Sequence, residues 1–107
     1  MKRYGQLLRI KRDRIREYKD HHAHVWPEVL RTIHDCNIRN YSIFLHGYLL
    51  FAYFEYVGED FPSDMARMAA DPKTQEWWVI MKPMQEPVET RAEGEWWATM
   101  SEVFHCD

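Results

Sequence analysis

Tyr18 and His22 stand four residues apart in a stretch that reads as helix, and side chains at that spacing share one helix face. Imidazole is the side chain that gains and loses a proton near neutral pH. A phenol beside it can donate to, or accept from, an oxygen of a bound molecule. The pair therefore suits proton transfer with a hydroxyl-bearing substrate, although the same two residues would also make an ordinary helix surface. His21 and His24 flank His22. Neighbouring helix positions point about 100° apart, so these rings do not easily converge on one ion. With His46 and His105 far along the chain, no metal site is expected.

The second group is aromatic. Aromatic residues make up 15 % of the chain, with five Trp. Four of these form two adjacent pairs, Trp77-Trp78 and Trp96-Trp97. Sequence neighbours cannot occupy the same face of a helix or strand, so one ring of each pair must point toward a cavity or an interface. Indole faces accept the C–H face of a pyranose as readily as they fill a core. Asn40-Tyr41 adds an amide and a phenol able to fix hydroxyl groups, and equally able to act as packing.

These side chains need elements to position them. Residues 3–10 alternate as a strand with one buried face. Asp13 is the expected N-cap of a helix running to about Asp20, with Ile15 and Tyr18 as its apolar stripe. Pro27 cannot continue that helix but can open a second one, which leaves a break around residues 21–26. Strands are expected at 39–45 and 49–56, joined tightly through His46-Gly47. Residues 58–63 read as a loop, 65–70 as a helix, and Asp71-Pro72 restarts a helix that extends to Pro83. Residues 85–94 read as a polar loop and 97–105 as the last strand. The order β-α-β-β-α-β is the ferredoxin-like α+β pattern on one antiparallel sheet. Its strands are apolar on both sides while helices cover only one, so a dimer with two bare faces meeting in a barrel-like core is the simplest resolution.

Composition narrows the function classes. The 107 residues fit a single domain, 1–107, and hydrophobic residues at 46 % suffice for a core. A small domain leaves much surface uncovered, which also favours a homodimer. The net charge of -3 argues against nucleic acid as a partner. A cluster of Lys and Arg between Lys2 and Lys19 reads as a solvated face, because no aromatic is interleaved as RNA recognition requires. The longest apolar run, 48–54, is too short for a membrane span. Cys36 and Cys106 form no metal spacing and, with no apolar leader at the N-terminus, read as reduced thiols of a cytoplasmic protein.

Taken together, Tyr18, His22, Trp26-Pro27-Glu28, Asn40-Tyr41, Trp77-Trp78 and Glu102-Val103-Phe104 resemble the L-rhamnose mutarotase family in order and spacing. The most specific stretches are EYKDHHAHVWPEV, NYSIFL, EWW and the closing EVFH, and the similarity spans nearly the whole chain. The resemblance implies a dimeric α/β barrel of ferredoxin-like subunits that interconverts the anomers of a 6-deoxy sugar, L-rhamnose or L-fucose, without a cofactor. It places His22 where the family has its proton donor, and Tyr18, Tyr41, Trp77 and Trp78 where the family contacts the sugar. The segment 85–97 matches no role. Related dimeric barrels also serve as cofactor-free monooxygenases and haem-degrading enzymes, and a non-enzymatic sugar-binding module would carry the same aromatics; fold alone does not choose.

Overall fold

The computed structural model describes residues 1–107. Strand β1 (Lys2–Ile10) leads through a 3-10 turn (Arg12–Arg14) into α1 (Ile15–His22) and α2 (Pro27–Asp35). The hairpin β2 (Ile38–His46) and β3 (Leu49–Tyr56) follows, then α3 (Phe61–Ala70) and α4 (Pro72–Met81), which ends in a 3-10 turn (Lys82–Met84). Two short strands, β4 (Gln85–Glu86) and β5 (Ala98–Met100), close the chain order. The sheet runs β2-β3-β1-β4 with β5 also on β1, and every pairing is antiparallel. This is the expected ferredoxin-like arrangement, with its last strand split in two.

Prolines and aspartates set the helix starts. Pro27 occupies the first turn of α2, and Trp26 before it is extended, with φ -62 and ψ 135. Asp71 caps α4 by accepting from the Thr74 amide at 2.9 Å and the Thr74 hydroxyl at 3.0 Å. Asp60 caps α3 through the Ser63 amide at 3.1 Å. That cap starts α3 at Phe61, inside the segment expected to be loop. Asp13 does not cap α1, contrary to expectation. It lies within the 3-10 turn, and Arg14 precedes α1 without a side-chain cap. Helix α1 continues to His22, so the break before α2 narrows to residues 23–26.

The two sheet faces differ. Tyr4, Leu8, Leu50, Phe54 and Ile43 face the helices, where Leu8, Ile10, Tyr18, Val29, Leu50, Trp77, Met81 and Met84 form the main core. On the opposite face, cross-strand pairs bring Leu7, Phe51 and Phe44 into one row, with Gly5 and Tyr53 beside them. The Met100 side chain lies over Gly5, where an added Cβ would meet its Cε at 3.3 Å. No helix covers this face, and Phe44 remains 63 % exposed.

A bulge in β2 re-aims one residue. Arg39 pairs with Glu55 and Ser42 with Tyr53, so Asn40 and Tyr41 together oppose Phe54. Asn40 takes a left-handed φ of 49, and its amide donates to Glu55 at 2.6 Å. Tyr41 thereby turns to the helix side and packs on Phe54 at 5.5 Å between ring centroids.

The final strand is shorter than the sequence suggests. Residues 97–105 are expected as one strand, but only Ala98–Met100 pair with β1. Beyond them Glu102 meets Arg3 at 3.0 Å through side chains alone, and Val103 and Phe104 are exposed. No helix is long and apolar enough to cross a membrane.

Candidate active site

Helix α1 presents Tyr18 and His22 on one face, and their rings lie 4.2 Å apart between centroids. The last turn of α1 also fixes His22 chemically. Its Nδ1 sits 2.9 Å from the main-chain oxygen of Tyr18. A carbonyl only accepts, so Nδ1 carries the hydrogen and neutral His22 keeps a lone pair on Nε2. His21 and His24 make the same backward contact, to the oxygens of Glu17 at 2.9 Å and Asp20 at 3.4 Å. Burial lowers the pKa of His22 below its ordinary value, opposed by the bond to Tyr18 and assisted by neighbouring His21.

Helix α4 supplies the wall. Trp77 is buried, with its ring nearly perpendicular to His22 at 5.5 Å and to Trp26 at 5.2 Å. Trp26, in the break between α1 and α2, reaches this wall from outside both helices. Trp78 is half-buried and packs at the edge of the same core, with the Lys82 ammonium 5.6 Å above its ring.

Tyr18 is the deepest polar group here, only 4 % exposed. Burial raises its phenol pKa, and the hydrogen bond from Gln85 partly offsets this. The Gln85 amide nitrogen lies 3.0 Å from the Tyr18 hydroxyl, and its oxygen accepts from the Trp96 indole at 2.8 Å. Tyr41 approaches from β2. The residue is 39 % exposed, and its pKa is raised, first by burial and then by Tyr18.

The structure thus gathers Tyr18, His22, Trp77 and Trp78 about one core edge, while Tyr41 packs on Phe54 from β2. Gln85 and Lys82 were not singled out from the sequence as site residues, while Trp26 stood out only beside the histidines and in the family resemblance. Trp96 stood out only as an unexplained indole, and a lone Gln at the start of a polar stretch carries no periodic signal. What buries Gln85 is its pairing with Ile10 in β4, which depends on tertiary structure. His46 lies at the far end of β2, and His105 contacts Asp107 at 2.7 Å in the exposed tail, so neither joins the site.

The arrangement holds a neutral imidazole with a free lone pair, two protonated phenols and an indole wall. That set can take a proton from one hydroxyl and give one to a nearby oxygen. Comparison with known proteins adds to this geometry. The family model described as L-rhamnose mutarotase matches residues 3–106. An L-rhamnose mutarotase of Oceanobacillus iheyensis is 34 % identical, with 100 % of both chains aligned. The crystal structure of an L-rhamnose mutarotase from Formosa agariphila superposes with a TM-score of 0.79 at 21 % identity, covering 100 % of each chain. Tetracenomycin F2 cyclase of Streptomyces glaucescens, a type-II polyketide cyclase, superposes at 0.69 with 16 % identity, covering 99 % of this chain and 96 % of its own. At such identities the two structures speak for the fold alone.

Proposed function

This chain belongs to the L-rhamnose mutarotase family of isomerases, and on that premise we propose that residues 1–107 act as one domain interconverting the α and β anomers of a 6-deoxy-hexopyranose. L-rhamnose is the first candidate, by the names of the relatives, and L-fucose the second. The observation that carries the mechanism is the Nδ1 contact of His22 with the Tyr18 carbonyl, because it leaves Nε2 as a base in the resting enzyme.

Mutarotation opens the pyranose ring and recloses it on the other face of C1. The C1 hydroxyl passes its proton to His22 Nε2, the C1–O5 bond breaks as the C1 carbonyl forms, and O5 takes a proton from a phenol. Tyr18 or Tyr41 supplies it; both are held protonated by burial. After rotation about C1–C2, the reverse transfers reclose the ring, and the His22 imidazolium now donates. The family resemblance implies His22 as proton donor in ring opening; in this proposal it is the base there and donates only on the return step, to the C1 oxygen. Two proton transfers need neither a metal nor a redox cofactor. One positioned acid/base contributes about 10²–10⁴-fold, sufficient for a reaction that already proceeds in water. Trp77 and Trp78 line the sugar's apolar face and keep water from the reacting bond.

A second copy of the chain covers the bare sheet face. The row Leu7, Phe51 and Phe44, flanked by Met100 and Tyr53, is the kind of contiguous apolar patch that marks an interface. Two such faces meeting close a barrel, and the free cysteines, Cys36 and Cys106, fit a cytoplasmic setting. Anomer exchange measured by NMR on wild type and His22 variants tests the reading.

A further inference from the structure

We infer that Gln85 and Trp96 together set the polarity of the Tyr18 hydroxyl, so that Gln85 is a positioning residue for proton transfer and the segment 87–97 exists to deliver the indole that orients it. This rests on the mutarotase reading for its catalytic consequence, though not for its geometry.

An indole N–H has no acceptor capacity. The Gln85 oxygen, 2.8 Å from Trp96 Nε1, must therefore be the acceptor, and the amide cannot be turned over. The amide nitrogen then faces Tyr18 at 3.0 Å and donates to its oxygen. Tyr18 consequently accepts from Gln85 and keeps its own hydrogen for another partner, which in the working site is a sugar oxygen. With the amide reversed, the Gln85 oxygen would capture that hydrogen and remove the donor from the reaction. Burial raises the Tyr18 pKa and keeps the phenol protonated, while the hydrogen bond donated by Gln85 works in the opposite direction.

The fold devotes unusual structure to this contact. An uninterrupted edge strand would run from Gln85 along β1. Instead β4 pairs with Arg9 and Ile10, residues 87–97 leave the sheet, and β5 resumes at Leu7. Trp96 lies at the end of that excursion. Its ring packs against the main core and sits 5.3 Å from the Lys82 ammonium, which also lies over Trp78. Glu95 pins the turn by accepting from the Ala92 amide at 2.8 Å and the Thr99 amide at 3.4 Å. Trp96 is therefore fixed from both sides before it meets Gln85.

The test compares Gln85→Glu and Trp96→Phe with wild type, reading anomer exchange across pH and the ¹³Cζ resonance of Tyr18, assigned through Tyr18→Phe. In the Gln85→Glu variant an ionised carboxylate only accepts, so it draws the Tyr18 hydrogen to itself. Once protonated, the same carboxyl group donates as the amide does. The ratio of Gln85→Glu to wild-type kcat should therefore be about tenfold below one at high pH and climb toward one as pH falls, with KM little moved. Trp96→Phe, which frees the amide to rotate, should lower kcat and shift the Tyr18 resonance. A ratio flat in pH, or a Tyr18 resonance unmoved by Trp96→Phe, overturns the inference. If wild type itself fails to accelerate exchange while the resonance does move, the mutarotase reading falls and the polarity assignment stands.

Discussion

The Nδ1 of His22 lies 2.9 Å from the main-chain oxygen of Tyr18, one turn earlier on the same helix. The contact does two things at once. It fixes the tautomer, leaving Nε2 as the reactive nitrogen, and it holds the imidazole against the Tyr18 ring at 4.2 Å. Donor and acceptor are thus ordered by one short helix before any substrate arrives.

The pH dependence follows with a definite sign. Burial depresses the His22 pKa below the ordinary 6.5, so the ring is neutral at pH 7. Anomer exchange should be flat through neutrality and fall only as pH drops through a midpoint below 6.5. A midpoint above that value contradicts the assignment. For stability the same shift means the folded state holds fewer protons than the unfolded one between the two pKa values. The contribution is fully present above 6.5 and is lost as pH falls through the lower folded value. Thermal melts of wild type minus His22→Gln should show wild type losing ground across that window.

Removing the phenol oxygen in Tyr18→Phe should lower kcat and also destabilise the fold. It leaves the Gln85 amide, in a residue only 7 % exposed, without its acceptor. A buried donor left unpaired costs about 1–3 kcal/mol, readable in urea unfolding. Unchanged unfolding would mean that water replaces the hydroxyl.

Leu8 sits in the middle of β1, fully buried against the helix layer. Leu8→Ala should cost about 2–5 kcal/mol with an unchanged denaturant slope. A loss under about 1 kcal/mol would show that the core collapses around the site.

How much of this was legible in the sequence depends on how local each cause is. Pro27 and the Asp71-Pro72 pair act within one turn, so the break before α2 and the restart at α4 could be read directly. The alternation of β2 and β3 gave the hairpin, but not the bulge that puts Asn40 and Tyr41 opposite one residue. Tyr18 and His22 could be paired by spacing, whereas the tautomer needed the carbonyl position. The start of α3 was missed because the capping role of Asp60 was hidden beside Phe61-Pro62. The split of the last strand, and with it Gln85, is a matter of which segments find a place on β1, and no local pattern encodes that.

The bare sheet face yields a prediction independent of chemistry. Phe44 is exposed on it, opposite Phe51. Phe44→Asp should leave the subunit folded, because no core contact is removed, yet shift sedimentation from dimer to monomer. A dimer that persists in Phe44→Asp, or a wild type that sediments as a monomer, places the oligomer elsewhere or removes it.

Saturation-difference proton NMR reads out whether His22 drives anomer exchange. Wild type and His22→Ala are each mixed with L-rhamnose and, in parallel, L-fucose. Wild type should accelerate exchange, more with L-rhamnose, and His22→Ala should reduce it about 10²–10⁴-fold. Full exchange retained by both His22→Ala and His22→Gln, or no acceleration by wild type with either sugar, would contradict it.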